Sequence, residues 1–323
     1  MPDTPRPTAK ATPAAAERLL QRLEWTVIRP LDGLLQGASR TLLRGAGIDL
    51  ADLREYQPHD DVRHIDWNVT ARLATPHVRV FTEDRDMTAW FLLDLSPSVD
   101  FGPPGQAKRD LVAGFVGVLA RLLQRHGNRV GAVLHDGSAA MGRVLPARGG
   151  RDQVLQLLHA LVAGAPAPSF VAPPGITELQ RLLMGAQRLL RRRSAVFVLS
   201  DFLSTPGWDK PLARLAQRHD VVAVRLLDPL ELTLPDMGLL LLRDPETGEQ
   251  LQVDTHERGF RHRFARLAAQ READLRDKLA RAGVDTLELS TDDDLLAALL
   301  RFMDLRAHRP RRAAAPPLAA RHG

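Results

Sequence analysis

From Met87 onward, short apolar runs alternate with stretches of helical periodicity, and this alternation limits the possible folds more than any other feature of the chain. TAWFLLDLS, RVGAVLHD, SAVFVLSDF, DVVAVRLLD and VDTLELS read as strands. AKRDLVAGFVGVLARLLQRH, RDQVLQLLHALVAG, TELQRLLMGAQRLLRRR and WDKPLARLAQRH read as helices in the intervals. Strand, helix, strand in series implies right-handed crossovers, and apolar strands without polar alternation must be covered on both faces. The expected fold is therefore α/β: a doubly wound, mainly parallel sheet with helices on both sides. LTLPDMGLLLLRDPETGEQLQVDT interrupts the series as a β-hairpin insertion near 232–254, with PETGE at its turn. The charged helix that follows ends at Gly283.

Outside this unit the chain changes character. Residues 1–15 and 307–323 are rich in Pro and Ala and read as disordered tails. Residues 16–86 hold an amphipathic helix near Ala15 to Leu35, a charged stretch from Asp49 to Arg72 and the strand-like HVRVFTE, ahead of the α/β domain at 87–306. The start of the sequence has no signal-peptide pattern and no apolar run is long enough for a membrane span, which points to a cytoplasmic protein.

Composition removes several chemistries. With no cysteine among 323 residues there are no disulfides, thiolate metal sites or cysteine nucleophiles, so any metal must be held by oxygen or imidazole. The formal charge is +5, and nearly all the basic residues are arginine: the lysines are Lys10, Lys108, Lys210 and Lys278. The cluster of Arg188 with Arg191, Arg192 and Arg193 closes a helix, where cations suit the macrodipole, and no aromatic interleaving accompanies it as a nucleic-acid surface would require.

In an open α/β sheet, ligands bind beyond the carboxyl ends of the strands, near the point where strand order reverses. DLSPS carries Asp94, Ser96 and Ser98 out of the first strand of the domain, and VLSDF brings Asp201 out of a later one. Thr177, in PPGITELQRLL, sits at the start of a helix, where a capping role is the plain alternative. Hydroxyls and carboxylates without sulfur or imidazole suit a hard cation, Mg²⁺ or Mn²⁺, that keeps a position for an outside ligand. DLSPS resembles the D-x-S-x-S motif of the von Willebrand factor A fold, and Thr177 and Asp201 resemble the remaining parts of its metal-ion-dependent adhesion site. The resemblance implies Ser96, Ser98 and Thr177 as inner ligands, Asp94 and Asp201 as the balancing carboxylates, and a partner's acidic side chain in the open position.

A second stretch, DLREYQPHDDVRHIDWNVTARLATPHVRVFTEDRD, resembles the signature that precedes such a domain in the bacterial family called domain of unknown function fifty-eight, with His59 standing where glycine is expected. Its charged and aromatic residues Arg54, Tyr56, Asp60, Asp61, Arg63, Asp66, Trp67 and Arg72 form either an ion-paired clasp onto the sheet domain or a docking surface for a partner. The resemblance implies a protein encoded beside MoxR-type AAA+ ATPases. On that reading it is a non-enzymatic adaptor whose metal grips a carboxylate of the ATPase or of a client.

Metal-dependent phosphoester hydrolysis is the enzymatic alternative. A haloacid-dehalogenase-like phosphatase needs a second carboxylate two residues after the first, where this chain has Ser96. There is also no G-x-x-x-x-G-K loop, G-x-G-x-x-G fingerprint or G-x-S-x-G elbow. A basic nucleic-acid-binding protein is the third reading, and it predicts affinity that falls steeply with salt.

Overall fold

The computed structural model describes residues 13–34, 52–57, 70, 75–80, 88–102, 107–136, 142–163, 179–243 and 249–308. The chain opens with helix α1 (Pro13–Leu23), which runs through a wider π-helical turn at Glu24–Ile28 into α2 (Arg29–Leu34). Helix formation thus begins inside the stretch read as a tail, because Pro13 has no amide hydrogen to leave unpaired and its fixed φ suits the first helical position. Two short strands, β1 (Asp52–Glu55) and β2 (His77–Val80), pair antiparallel apart from the main sheet.

The central sheet begins with β3 (Thr88–Asp94). Next come helix α3 (Lys108–Arg125), strands β4 (Arg129–His135) and β5 (Arg143–Arg148), and helices α4 (Arg151–Val162) and α5 (Leu179–Leu189). Strand β6 (Ala195–Ser200), helix α6 (Asp209–Arg218) and strand β7 (Asp220–Leu227) follow. Strands β8 (Leu239–Arg243) and β9 (Gln250–Asp254) then form an antiparallel hairpin of their own. Helix α7 (Arg258–Ala282), strand β10 (Asp285–Ser290) and helix α8 (Leu295–His308) complete the described chain. Helix α7 stops at Gly283, whose φ of 71° is the left-handed conformation a side chain would resist.

Six strands lie in the order β10-β7-β6-β3-β4-β5, all parallel except the β4–β5 pair. This is a mixed α/β fold on a mostly parallel sheet. Strand β5 carries no strand-like pattern in the sequence: RVLPAR mixes charge with Pro146, and it is accommodated as an edge strand, where a missing amide donor breaks no ladder.

Both faces of the sheet are covered. On one, Ala89, Phe91 and Leu93 of β3 pack with Phe115, Val116 and Leu119 of α3 and with residues of α1, α4 and α8; Phe91 and Phe197 stack at 5.5 Å between ring centroids. On the other, Leu92, Val196 and Val198 meet α5, α6 and the Leu275–Leu279 stripe of α7. Each fully buried Leu or Phe contributes roughly 1.5–3 kcal/mol. Alternate residues of β3 thus serve opposite cores, so the strand is apolar throughout and only its carboxyl end is free to carry chemistry.

Candidate functional site

After β3 the chain turns one way to β4 and β5, then returns to build β6, β7 and β10 on the other side. The reversal therefore falls between β3 and β6, and the carboxyl ends of those two strands define the crevice. Asp94 ends β3 and Asp201 follows β6 directly; they are 1% and 2% exposed.

The two loops are tied to each other. Ser200 Oγ donates to Asp94 Oδ2 at 2.7 Å, and the Ser96 amide donates to Asp94 Oδ1 at 3.2 Å. Pro97 opens a 3₁₀ turn at Pro97–Asp100, and this turn, more than strand alternation, brings the hydroxyls together: Ser96 Oγ and Ser98 Oγ stand 3.1 Å apart, both buried. Within that pair each hydroxyl keeps acceptor lone pairs. Arg109 of α3 holds the far side of the turn through Asp100 and the Leu95 carbonyl.

Beyond β6 the backbone is forced round. Phe202 has φ of 58°, a left-handed conformation that costs a non-glycine residue about 1–2 kcal/mol. It is held there because its amide donates to Ser200 Oγ at 2.8 Å and its ring packs 5.1 Å from that of Trp208. The Leu203 amide in turn donates to Asp201 Oδ1 at 3.0 Å. The turn fixes Asp201 through that oxygen and leaves Oδ2 to meet the ammonium of Lys108.

Two residues of this site were missed in the sequence. Lys108, the first residue of α3, is wholly buried, and its Nζ lies 3.1 Å from Asp201 Oδ2 and 2.5 Å from Glu231 Oε1. Glu231 ends a short 3₁₀ turn at Pro229–Glu231 beyond β7, and its second oxygen accepts the Asp228 amide at 3.2 Å. Asp228 reciprocates as the cap of that turn, accepting from the Leu230 amide at 2.9 Å and from Thr291 Oγ1 at 2.7 Å. The signal for Lys108 was its rarity, as one of four lysines in a chain whose other basic residues are arginines.

Electrostatics follow from this arrangement. Burial, and secondarily the charge of Asp201, push the Asp94 carboxyl up to about 6, against the pull of its Ser200 and Ser96 hydrogen bonds. Burial also raises Glu231, with Lys108 opposing. Asp201 and Glu231 thus share one ammonium, and Asp94 has no direct cationic partner among these groups. That imbalance, with two buried hydroxyls alongside, fits a hard divalent cation. Among the described residues no group of three or more His, Asp or Glu is placed to hold a metal by itself, so any such site must use the serine oxygens.

Thr177 lies outside the described residues, as do Asp60, Asp61, Arg63, Asp66, Trp67 and Arg72. Arg54 falls in β1 opposite Val78, and half-buried Tyr56 follows that strand, its amide donating to the Pro76 carbonyl at 2.8 Å.

The family model described as "Protein of unknown function DUF58" matches residues 52–274. The chain belongs to the DUF58 family. Uncharacterized proteins of Mycobacterium tuberculosis and Mycobacterium bovis are each 39% identical to this DUF58 chain over 289 residues, covering 89% of it and 88% of the relative. Among solved structures, BatB of Bacteroides thetaiotaomicron shares 14% identity at a TM-score of 0.42, covering 68% of this chain and 98% of its own. That likeness is too distant to bear on function.

Proposed function

We propose that this DUF58 protein is a non-enzymatic adaptor of von Willebrand factor A type, working in the cytoplasm with a MoxR-type AAA+ ATPase in the assembly or maturation of protein complexes. One observation carries the reading: Asp94, Ser96, Ser98 and Asp201, from two loops far apart in sequence, are buried together at the carboxyl ends of the strands flanking the switch point. Ser96 and Ser98 would offer neutral oxygens to Mg²⁺ or Mn²⁺, with Thr177 as the third hydroxyl. Asp94 and Asp201 would balance its charge and orient the hydroxyls. When bound, the ion supplies an exchangeable position for an acidic side chain of the ATPase or a client.

The protein's own residues do the remaining work. Ser200 and the Ser96 amide hold Asp94 in one orientation, and the Phe202 turn holds Asp201. The 3₁₀ turn keeps the two serine hydroxyls adjacent before any ligand arrives, which lowers the ordering cost of binding. The segment containing Arg54, Tyr56 and Trp67 would contribute a second contact or a clasp. Binding of this chain to a purified MoxR-type ATPase from the same genome tests the reading. Capture that disappears with EDTA and with Ser98→Ala at constant salt supports it; capture indifferent to both refutes it.

A further inference from the structure

Lys108 is the least expected group in the molecule: an ammonium with no exposed surface, placed at a site whose other members suit a metal. Its stem cannot simply withdraw. The Lys108 amide donates to the Phe101 carbonyl at 3.2 Å, and the preceding Ala107 amide donates to Asp110 Oδ2 at 3.1 Å, which fixes the start of α3 beside the serine loop. Asp201 is equally constrained, because its Oδ1 already accepts the Leu203 amide and only Oδ2 meets the lysine. A cation arriving in the crevice and the ammonium therefore want the same oxygen.

Glu231 gives the ammonium somewhere else to rest. It sits 123 residues further along the chain, yet its carboxylate is held at 2.5 Å from Nζ by a capping arrangement that involves none of the other site residues. Lys108 thus meets two carboxylates, Asp201 and Glu231, while Asp94 beside them has no cationic partner among these groups. We infer that Lys108 is a tethered counter-cation that competes with the divalent ion for Asp201 and is carried by Glu231 when that ion binds, so that the pair sets how readily the site loads. The inference rests on the metal reading above. It makes Lys108 and Glu231 positioning residues, neither of them a ligand. A purely structural ion pair would steady α3 against the β7 turn without touching metal affinity.

The test is calorimetric titration of Mn²⁺ into the full chain as wild type, Lys108→Met, Glu231→Gln and the double variant. The competition predicts Mn²⁺ bound at least tenfold more tightly by Lys108→Met, because the rival cation is gone. It predicts severalfold weaker binding by Glu231→Gln, because the ammonium then has only Asp201 to hold. The double variant should match Lys108→Met, since Glu231 acts only through the lysine. Equal or weaker binding by Lys108→Met, or unchanged binding by Glu231→Gln, overturns the inference while leaving the metal site standing. No Mn²⁺ binding by any variant overturns both. If Lys108→Met does not fold, Glu231→Gln decides alone, because Glu231 lies nearer the surface and its amide can still accept the Asp228 hydrogen bond.

Discussion

Replacing Asp94 by asparagine should stabilise the metal-free protein at neutral pH. The carboxyl is 1% exposed, and burial with the charge of Asp201 moves it from its ordinary 3.8 to about 6. A folded state that holds the proton more tightly than the unfolded chain gains stability from it; that gain is complete below 3.8 and is lost as pH rises through about 6. At about 1.4 kcal/mol per pH unit, ionised Asp94 costs the fold about 3 kcal/mol at neutral pH. Asparagine keeps the acceptor for the Ser96 amide and removes the charge, and the Ser200 hydroxyl can turn to accept from its amide group. Urea unfolding in EDTA should show the variant more stable by about 2–3 kcal/mol near pH 7.5, shrinking to about 1 kcal/mol near pH 4.5, where wild-type Asp94 is largely protonated. Millimolar Mg²⁺ should reverse the order, because only the wild type gains from binding. A variant that is less stable than wild type in EDTA at neutral pH, or a difference that does not change with pH, would refute the reasoning.

Other consequences can be checked separately. Arg225 of β7 is 4% exposed at its side chain and pairs with Glu272 of α7 and, at 3.8 Å, with Glu288 of β10, so Glu272→Ala leaves the buried cation stranded with the more distant carboxylate and should cost about 3 kcal/mol in denaturant unfolding. Arg225→Met, which removes the stranded charge, should cost clearly less in the same assay. Gly117 of α3 lies where a Cβ would come within 2.7 Å of Leu23 Cδ1 and 3.1 Å of Leu158 Cδ2, so Gly117→Val should destabilise by about 1–3 kcal/mol. Hydrogen exchange in that variant should speed up first in residues 13–34, because α1 packs over that point.

The parts of the fold set by one periodic pattern were readable from the sequence. Strands β3 and β6 are apolar along their length because each serves two cores, and DLSPS and VLSDF mark their carboxyl ends where that demand stops. β5 was invisible because an edge strand needs no continuous apolar run and can tolerate Pro146. β1 was hidden in a charged stretch, since a four-residue strand that pairs, among the described residues, with β2 alone carries too short a pattern to stand out. At the site, Asp94, Ser96, Ser98 and Asp201 were named because each belongs to a local motif. Lys108 and Glu231 belong to none: their partnership exists only once α3, β6 and the turn after β7 have been folded together, and no local spacing encodes it. The positive φ of Phe202 was also beyond reach, because the Ser200 hydroxyl and the Trp208 ring that stabilise it act through tertiary contact.

Direct titration of Mn²⁺, followed by loss of its free-ion paramagnetic resonance signal, probes the central proposal most closely when wild type is compared with Ser96→Ala, Ser98→Ala and Asp201→Asn. A metal held by these side chains gives one ion per chain in the wild type and at least tenfold weaker binding in each variant, with the fold intact by circular dichroism. Saturable binding that all three substitutions leave unchanged, or no binding by the wild type, would contradict it.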